Sequence, residues 1–469
     1  MTVDQFEMLR PVGRLEQYST SRHQAGFYLN VAVTATYVLP DSFKLLVKDY
    51  VYRACETLIA EHPVLSAIPV ADETQQPYFV RLPQIDLDQA VSFGARKNGS
   101  LSTASADKDP TPDLDLQALL ENQHNTPFTA PNAYWRLCIL TDADNERQFT
   151  AAFVYHHALG DGTSGKAFHQ TFLRALDSAE SKNRETKSII QSPSTPLLPN
   201  IEQIHPMPLS FLFLAKKLIQ AKVYSYRDPG LWSGGKIQTE GKTHLRLVPF
   251  SKKIVTSLRG VCRLEETSIT ALLQTAFARA IFAHLPAHYT SLNCTGAISC
   301  RRWLPDIITD EVMGVFVGDI EESYTRSATT SIDPRSFTWS ETRRSKKTIE
   351  AAVQRKGRDA GPNLLKYVND FQQELCLSKV GSERDKSFEV SNVGVFSGEV
   401  VPGKPRIEEM AFSQSASVIG NAIGVSVITG GDGCMMLAVT WQDGVVDESL
   451  IEGVVKYLTK DLKDLIGSE

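Results

Sequence analysis

The octapeptide "YHHALGDG", Tyr155–Gly162, sets two of the chain's ten histidines side by side and follows them with an aspartate between two glycines. Three readings compete. The pair can be ordinary polar residues at a strand end. It can be part of a metal site, but neighbours on a strand point to opposite faces, so His156 and His157 share no ion without a kink. No HxxxH, and no HxH with an added acid, lies nearby. The third reading makes one histidine a catalyst and the other its support. A neutral imidazole of ordinary pKa, ~6.5, is the natural general base near neutral pH. Gly160 and Gly162 allow a tight turn with unusual dihedrals and close backbone approach. A carboxylate such as Asp161 inside that turn can fold back and fix the loop through a partner cation.

Working outward, "WRLCIL" (Trp135–Leu140) and "QFTAAFVYHH" (Gln148–His157) predict a hairpin turned by "TDADNER" (Thr141–Arg147). The second strand is apolar on both faces, as a central buried strand requires. Phe168, Phe172 and Leu176 then recur at i, i+4 and i+8, so a helix follows over Thr163–Leu176. Earlier in the chain, Gly26–Leu39 reads as a strand and Ser42–Leu65 as a helix stopped by Pro63, while 94–115 reads as a loop. Residues 177–241 are polar, then Pro-rich, and read as a long crossover. A second half begins near Gly241. It shows two helices broken around Leu264–Thr267, a strand over His288–Ser299, a closing hairpin, and a last helix from about Asp447, its expected N-cap. The expected division is 1–180, a linker over 181–240, and 241–469. Each half mixes a sheet with helices, which makes the chain α/β (α+β) in class.

Composition narrows the function. The chain has 469 residues, 42% hydrophobic and 22% charged, enough apolar material for large cores. Length alone suggests about two to four structural units. A net charge of −5 is not the footprint of a nucleic-acid binder. Seven scattered cysteines without a CxxC pair read as reduced thiols, and the N-terminus lacks the pattern of a signal peptide, so a cytoplasmic location is expected. The greasiest stretch, Met207–Ala215, is too short to span a bilayer and runs into Lys216 and Lys217. It reads as a helix packed on the protein, with peripheral membrane contact as the alternative.

HHxxxDG is also the signature of the superfamily of chloramphenicol acetyltransferase, the plant BAHD acyltransferases and the condensation domains of non-ribosomal peptide synthesis. His156, His157, Asp161 and Gly162 match its specified positions. Within that superfamily the chain resembles the fungal alcohol O-acetyltransferase family nearly end to end. The resemblance rests on "GRLEQYSTSRHQAGFY" (Gly13–Tyr28), "EHPVLS" (Glu61–Ser66), "YWRLCIL", "LWSGG" (Leu231–Gly235), "ISCRRWLP" (Ile298–Pro305), "MGVFVGD" and "SNVGVF" (Ser391–Phe396). The DFGWG motif of the plant branch is missing, and "SNVGVF" looks like its counterpart.

The resemblance implies two chloramphenicol-acetyltransferase-like subdomains with a tunnel at their interface, entered by acyl-CoA from one face and by the acceptor from the other. It implies direct acyl transfer to an alcohol, with acetyl-CoA as co-substrate, no permanently bound cofactor and no metal. The acceptor is expected to be a short-chain alcohol, a terpenoid or a polyketide hydroxyl, with an amine, which the same base serves, as the alternative. His157 would be the general base and His156 a support. Asp161 would be structural, paired with Arg301 or Arg302. Ser391, Asn392, Gln414 and Ser415 are the candidates for the oxyanion donor or tunnel wall, and each can equally serve only the sheet or a turn. The basic stretch Thr342–Arg358 is a candidate guide for CoA phosphates, and Trp135, Trp232, Trp303 and Trp441 are candidates for an apolar acceptor pocket. A monomer is expected, since two lobes of one chain make their own interface. A carrier-protein-dependent condensation enzyme and a non-catalytic binding protein on the same scaffold are the alternatives.

Overall fold

The computed structural model describes residues 5–97, 110–142, 145–179, 185–222, 228–330, 337–398 and 400–467. Two mixed sheets dominate it. The first runs in the order Arg406–Gln414, Val31–Val38, Asn145–Tyr155, Trp135–Asp142, Val91–Ala95, with its last pair parallel. The second runs Thr243–Phe250, Met435–Gln442, Asn421–Thr429, Lys386–Val395, Ser291–Ser299, Val317–Thr325. There, Lys386–Val395 lies parallel to both its neighbours.

The strand leading into the histidine pair is central, as its apolar faces require. Tyr155 is held in register on both sides, opposite Val31 and opposite Trp135. Phe149, Ala151, Ala152, Phe153, Val154 and Tyr155 are all buried, and Phe153 stacks on Phe168 of the following helix with ring centroids 3.7 Å apart. That helix, Gly162–Ser178, buries Phe168, Phe172 and Leu176. The helix read over Ser42–Leu65 forms over Val47–Glu61 and passes into a 3₁₀ turn at Pro63–Ser66. The second half follows its periodicity closely: helices Lys252–Leu264 and Ile269–His284, then the closing hairpin and helix Glu448–Gly467.

Other expectations need correction. The loop read over 94–115 holds the end of a strand, Val91–Ala95, and the start of a helix, Leu114–His124; its residues 98–109, like 143–144 of the hairpin turn, lie outside the described residues. Besides a short strand, Ile189–Gln191, and a short helix, Ile201–Ile204, the crossover holds the expected apolar helix, formed over Phe211–Lys222. On the last of these Phe211, Leu212, Leu218 and Ile219 are exposed. Among the described residues no helix is long and apolar enough to cross a membrane.

The least local feature is strand Arg406–Gln414. It lies late in the sequence, between strands of the second sheet, yet it pairs with Val31–Val38 and completes the first. A buried polar network fastens it there. Asn30 Nδ2 donates to the Gln123 carbonyl at 2.7 Å, so its Oδ1 is left to accept from His124 Nδ1 at 2.6 Å. His124 Nε2 then accepts from Ser413 Oγ at 2.8 Å. Burial holds this imidazole neutral, with its pKa pushed down to about 3.

A second fastening joins the halves at the histidine turn. Asp161 caps helix Gly162–Ser178, accepting from the Ser164 backbone at 3.0 Å. Its other oxygen takes Arg301 Nη1 at 2.6 Å and the Phe316 backbone N–H at 3.0 Å. Arg301 Nε donates to the Thr309 carbonyl at 3.1 Å. Both side chains are buried. Burial works to raise the Asp161 pKa, and the Arg301 charge with these hydrogen bonds outweighs it, holding the carboxyl below its usual range. Removing one partner of such a pair strands the other, at about 3–5 kcal/mol. Asp161→Asn therefore lowers unfolding stability by about that amount in denaturant titration, and Arg301→Lys, which loses the fork of donors, is also destabilised. An Asp161→Asn protein with an unshifted unfolding midpoint would contradict this role.

Candidate active site

The strand ends at Tyr155, and the two histidines part as neighbours on a strand do. His156 turns into the core. It is buried among His23, with ring centroids 4.6 Å apart, Tyr134 and Phe128. Its Nδ1 accepts from the Ala158 backbone at 3.0 Å, and its backbone N–H donates to the Tyr134 carbonyl at 2.9 Å. His156 thus shapes the turn from behind.

His157 turns the other way, into a cavity of about 350 Å³. Its Nδ1 is closed off from solvent inside the turn with no hydrogen-bond partner there, and the backbones of His157 and Gly160 work against burial to raise the ring's pKa. The half-buried ring therefore offers Nε2 to the cavity. Burial first, and the Arg22 charge second, push its pKa down to about 4. Near neutral pH the ring is uncharged and able to accept a proton.

Neither motif glycine takes a positive φ; both serve close approach instead. A Cβ on Gly160 would stand 2.5 Å from Ser164 Cβ, and one on Gly162 would stand 2.5 Å from Val393 Cγ1 of the second half. The expected unusual dihedrals are absent because the turn closes through the Asp161 cap rather than through a left-handed residue.

The 350 Å³ cavity lies between the halves. Its wall includes Tyr18 and Arg22 of helix Arg14–Gln24, Tyr28, Glu389 and Ser391 of strand Lys386–Val395, and Gln414 of the exchanged strand. A larger cavity, about 760 Å³, adjoins it and shares Asp161, Gly162, Gly296, Ala297, Val317 and Ser391. The larger one is edged by Lys166, Arg302, Thr270 and Asn392, and by Ile349 and Val353 of helix Trp339–Gln354, which carries the basic stretch read from the sequence.

The expected site residues separate accordingly. Arg301 meets Asp161, whereas Arg302 is exposed at the rim of the larger cavity. Ser391 lies in the wall shared by the two cavities. Asn392 donates to Thr270 Oγ1 at 3.0 Å and accepts from the Gly394 backbone at 2.9 Å. Gln414 accepts from Tyr28 Oη at 2.8 Å and donates to Ser426 Oγ at 3.0 Å. Ser415 is away from both cavities, bonded to the Asn30 and His124 carbonyls. Trp135, Trp232 and Trp441 are buried in the cores, so the apolar pocket expected of them does not form around His157. Tyr18, Arg22 and Glu389 carried no role in the sequence reading. Tyr18 and Arg22 had a signal in their i, i+4 spacing, and Glu389 in being a charge between the buried Phe388 and Val390.

Comparison with known proteins agrees with this architecture. A family model described as alcohol acetyltransferase matches residues 11–462. The chain is 34% identical to a probable alcohol acetyltransferase, crmB, of Aspergillus fumigatus, over 96% of this chain and 99% of that protein. It is 24% identical to a probable alcohol acetyltransferase, FCK4, of Fusarium pseudograminearum, over 95% and 93%. Among solved structures, the TRI3 trichothecene 15-O-acetyltransferase of Fusarium sporotrichioides superposes with a TM-score of 0.71 at 14% identity, covering 97% of this chain and 94% of that one. The epimerization domain of tyrocidine synthetase B superposes at 0.64 and 13% identity, covering 99% and 98%, which shows a shared fold with the condensation-type domains. The chain belongs to the alcohol acetyltransferase family.

Proposed function

We propose that the protein transfers an acetyl group from acetyl-CoA directly to the hydroxyl of an alcohol, with His157 as general base. The observation that carries this reading is a neutral imidazole with one nitrogen closed inside a turn and the other open to a cavity between two lobes. In this reading the alcohol occupies the 350 Å³ cavity, where Nε2 of His157 takes its proton. The oxygen attacks the thioester carbonyl arriving from the larger cavity. The tetrahedral intermediate collapses, the C–S bond breaks, and the departing CoA thiolate takes the proton from Nε2, so that CoA leaves as the free thiol and the imidazole is neutral again. No acyl-enzyme forms. The Lys166 and Arg302 charges at the larger cavity suit the CoA phosphates. One chain supplies both walls, so a monomer suffices.

Ser391 is the best oxyanion donor of the four residues considered. It borders both cavities, while Asn392, Gln414 and Ser415 already hold partners in the sheet or at its edges. His156 keeps the turn in shape and takes no proton from the acceptor.

Purified protein with acetyl-CoA and a panel of alcohols, read by free-thiol release, tests the assignment. His157→Ala lowers kcat/KM by about 10²–10⁴-fold; His156→Ala retains more activity and loses thermal stability. Equal loss in the two variants, or full activity in His157→Ala, would overturn the roles. Ser391→Ala lowers kcat by about 10²-fold with KM little changed, as for the loss of one oxyanion donor; a loss confined to KM would remove it from that role. Because the His157 pKa is lowered, the base stays competent as pH falls and is lost only as pH approaches about 4. The pH profile of kcat/KM is accordingly flat through the ordinary imidazole range at ~6.5, and a clear inflection there would contradict the site's electrostatics.

A further inference from the structure

The cavity that receives His157 is not lined as an apolar slot for a simple alkanol. Glu389 projects into it from strand Lys386–Val395, two residues before Ser391 and therefore on the same face of the sheet. Its neighbours in register are Thr295 and Gly424, so no bulky side chain screens it along the sheet. Among the described residues its carboxylate makes no ion pair. Across the cavity, Arg22 lies over the rings of Tyr18, at 4.1 Å, and Tyr28, at 4.4 Å, and it too has no carboxylate partner among the described residues. Tyr28 in turn lies beside His157, with ring centroids 5.7 Å apart. A cation and an anion thus face one cavity without closing on each other.

We infer that Glu389 is a specificity-determining residue, selecting acceptors that carry, besides the reacting hydroxyl, a second neutral hydroxyl donating a hydrogen bond to its carboxylate. The inference rests on the proposed acyl transfer from the His157 side of the cavity. Three observations lead to the diol class. A carboxylate in a cavity wall accepts hydrogen bonds and donates none while ionised, so its partner must bring a donor. The nearby Arg22 charge opposes a cationic donor, which disfavours an amino alcohol. Glu389 is half-buried and the Gln414 amide meets only part of its accepting capacity, so an acceptor without the second hydroxyl leaves the remainder uncovered. Burial indeed pushes the Glu389 pKa up, against the Arg22 charge and the Gln414 amide, which work to keep it ionised. Discrimination from a site built around such a group is large, because the wrong substrate strands it.

The test uses the full chain, acetyl-CoA, and matched probes: 1-hexanol against 1,6-hexanediol, and cyclohexylmethanol against 1,4-cyclohexanedimethanol. Each diol has two equivalent hydroxyls, so a factor of two in kcat/KM is statistical. The wild type is expected to favour the diol by about tenfold or more, expressed mainly in KM. Glu389→Leu is expected to bring that ratio down to the statistical factor, and Glu389→Gln, which keeps one accepting oxygen, to fall between. Isothermal titration of the same probes onto wild type and Glu389→Leu gives a second readout independent of turnover, with tighter diol binding only in the wild type. No diol preference in the wild type, or a preference unchanged in both variants, would overturn the inference. If no alcohol is acetylated, the acyl-transfer reading falls, and the titration alone then decides whether Glu389 selects the second hydroxyl.

Discussion

The structure depends on one buried charge pair. Asp161 and Arg301 are 140 residues apart in sequence and meet at 2.6 Å behind the histidine turn. A carboxylate and a guanidinium taken out of water are costly unless each remaining donor and acceptor is matched. Here Asp161 caps a helix and takes a backbone N–H of the second half, and Arg301 spends its other donors on carbonyls and Ser164. The pair is therefore less a source of net stability than a constraint with one geometry. It fixes where helix Gly162–Ser178 begins, and so how the preceding turn leaves the sheet.

The proposed chemistry follows from that constraint. A turn fixed on one side by Asp161 and on the other by the buried His156 has one way to present His157. The ring enters the seam between halves, with Nδ1 inside the turn and Nε2 outward. Burial keeps it uncharged, as the proposed role of base requires, and the strand Arg406–Gln414 adds Phe412 and Gln414 to the same cavity wall. The polar network of Asn30, His124 and Ser413 does not itself line the 350 Å³ cavity, yet it holds the strand that brings Gln414 into the cavity wall.

Much of this was legible in local pattern. The hairpin before the histidines, the helix after them, the paired helices of the second half and the closing hairpin and helix all carry their own periodicity, and they formed near the expected bounds. The family and its two-lobed fold were legible from HHxxxDG and its companion segments. What local pattern misses is decided by partners far away. Nothing in the residues of Arg406–Gln414 says that its neighbour is Val31–Val38 rather than a strand of its own half. Arg301 and Arg302 are chemically equal in sequence, and only burial separates them. Gly160 and Gly162 read as needing either unusual dihedrals or close approach, and only the folded chain shows that the second holds, through crowding by Ser164 and Val393. Large aromatics read as a pocket lining went to the cores, and the polar wall of Arg22, Glu389 and Gln414 came from three segments that meet only in the folded chain.

The central claim is that the His157 ring is neutral, protonated on Nδ1, with Nε2 free to accept. Nitrogen-15 NMR of the selectively labelled free protein, with the His157 resonances assigned by difference from His157→Gln, measures this directly. The account predicts a single neutral tautomer with the proton on Nδ1, unchanged as the sample is taken from neutral pH through the ordinary imidazole range. A ring carrying its proton on Nε2, or one that becomes imidazolium near ~6.5, would contradict it.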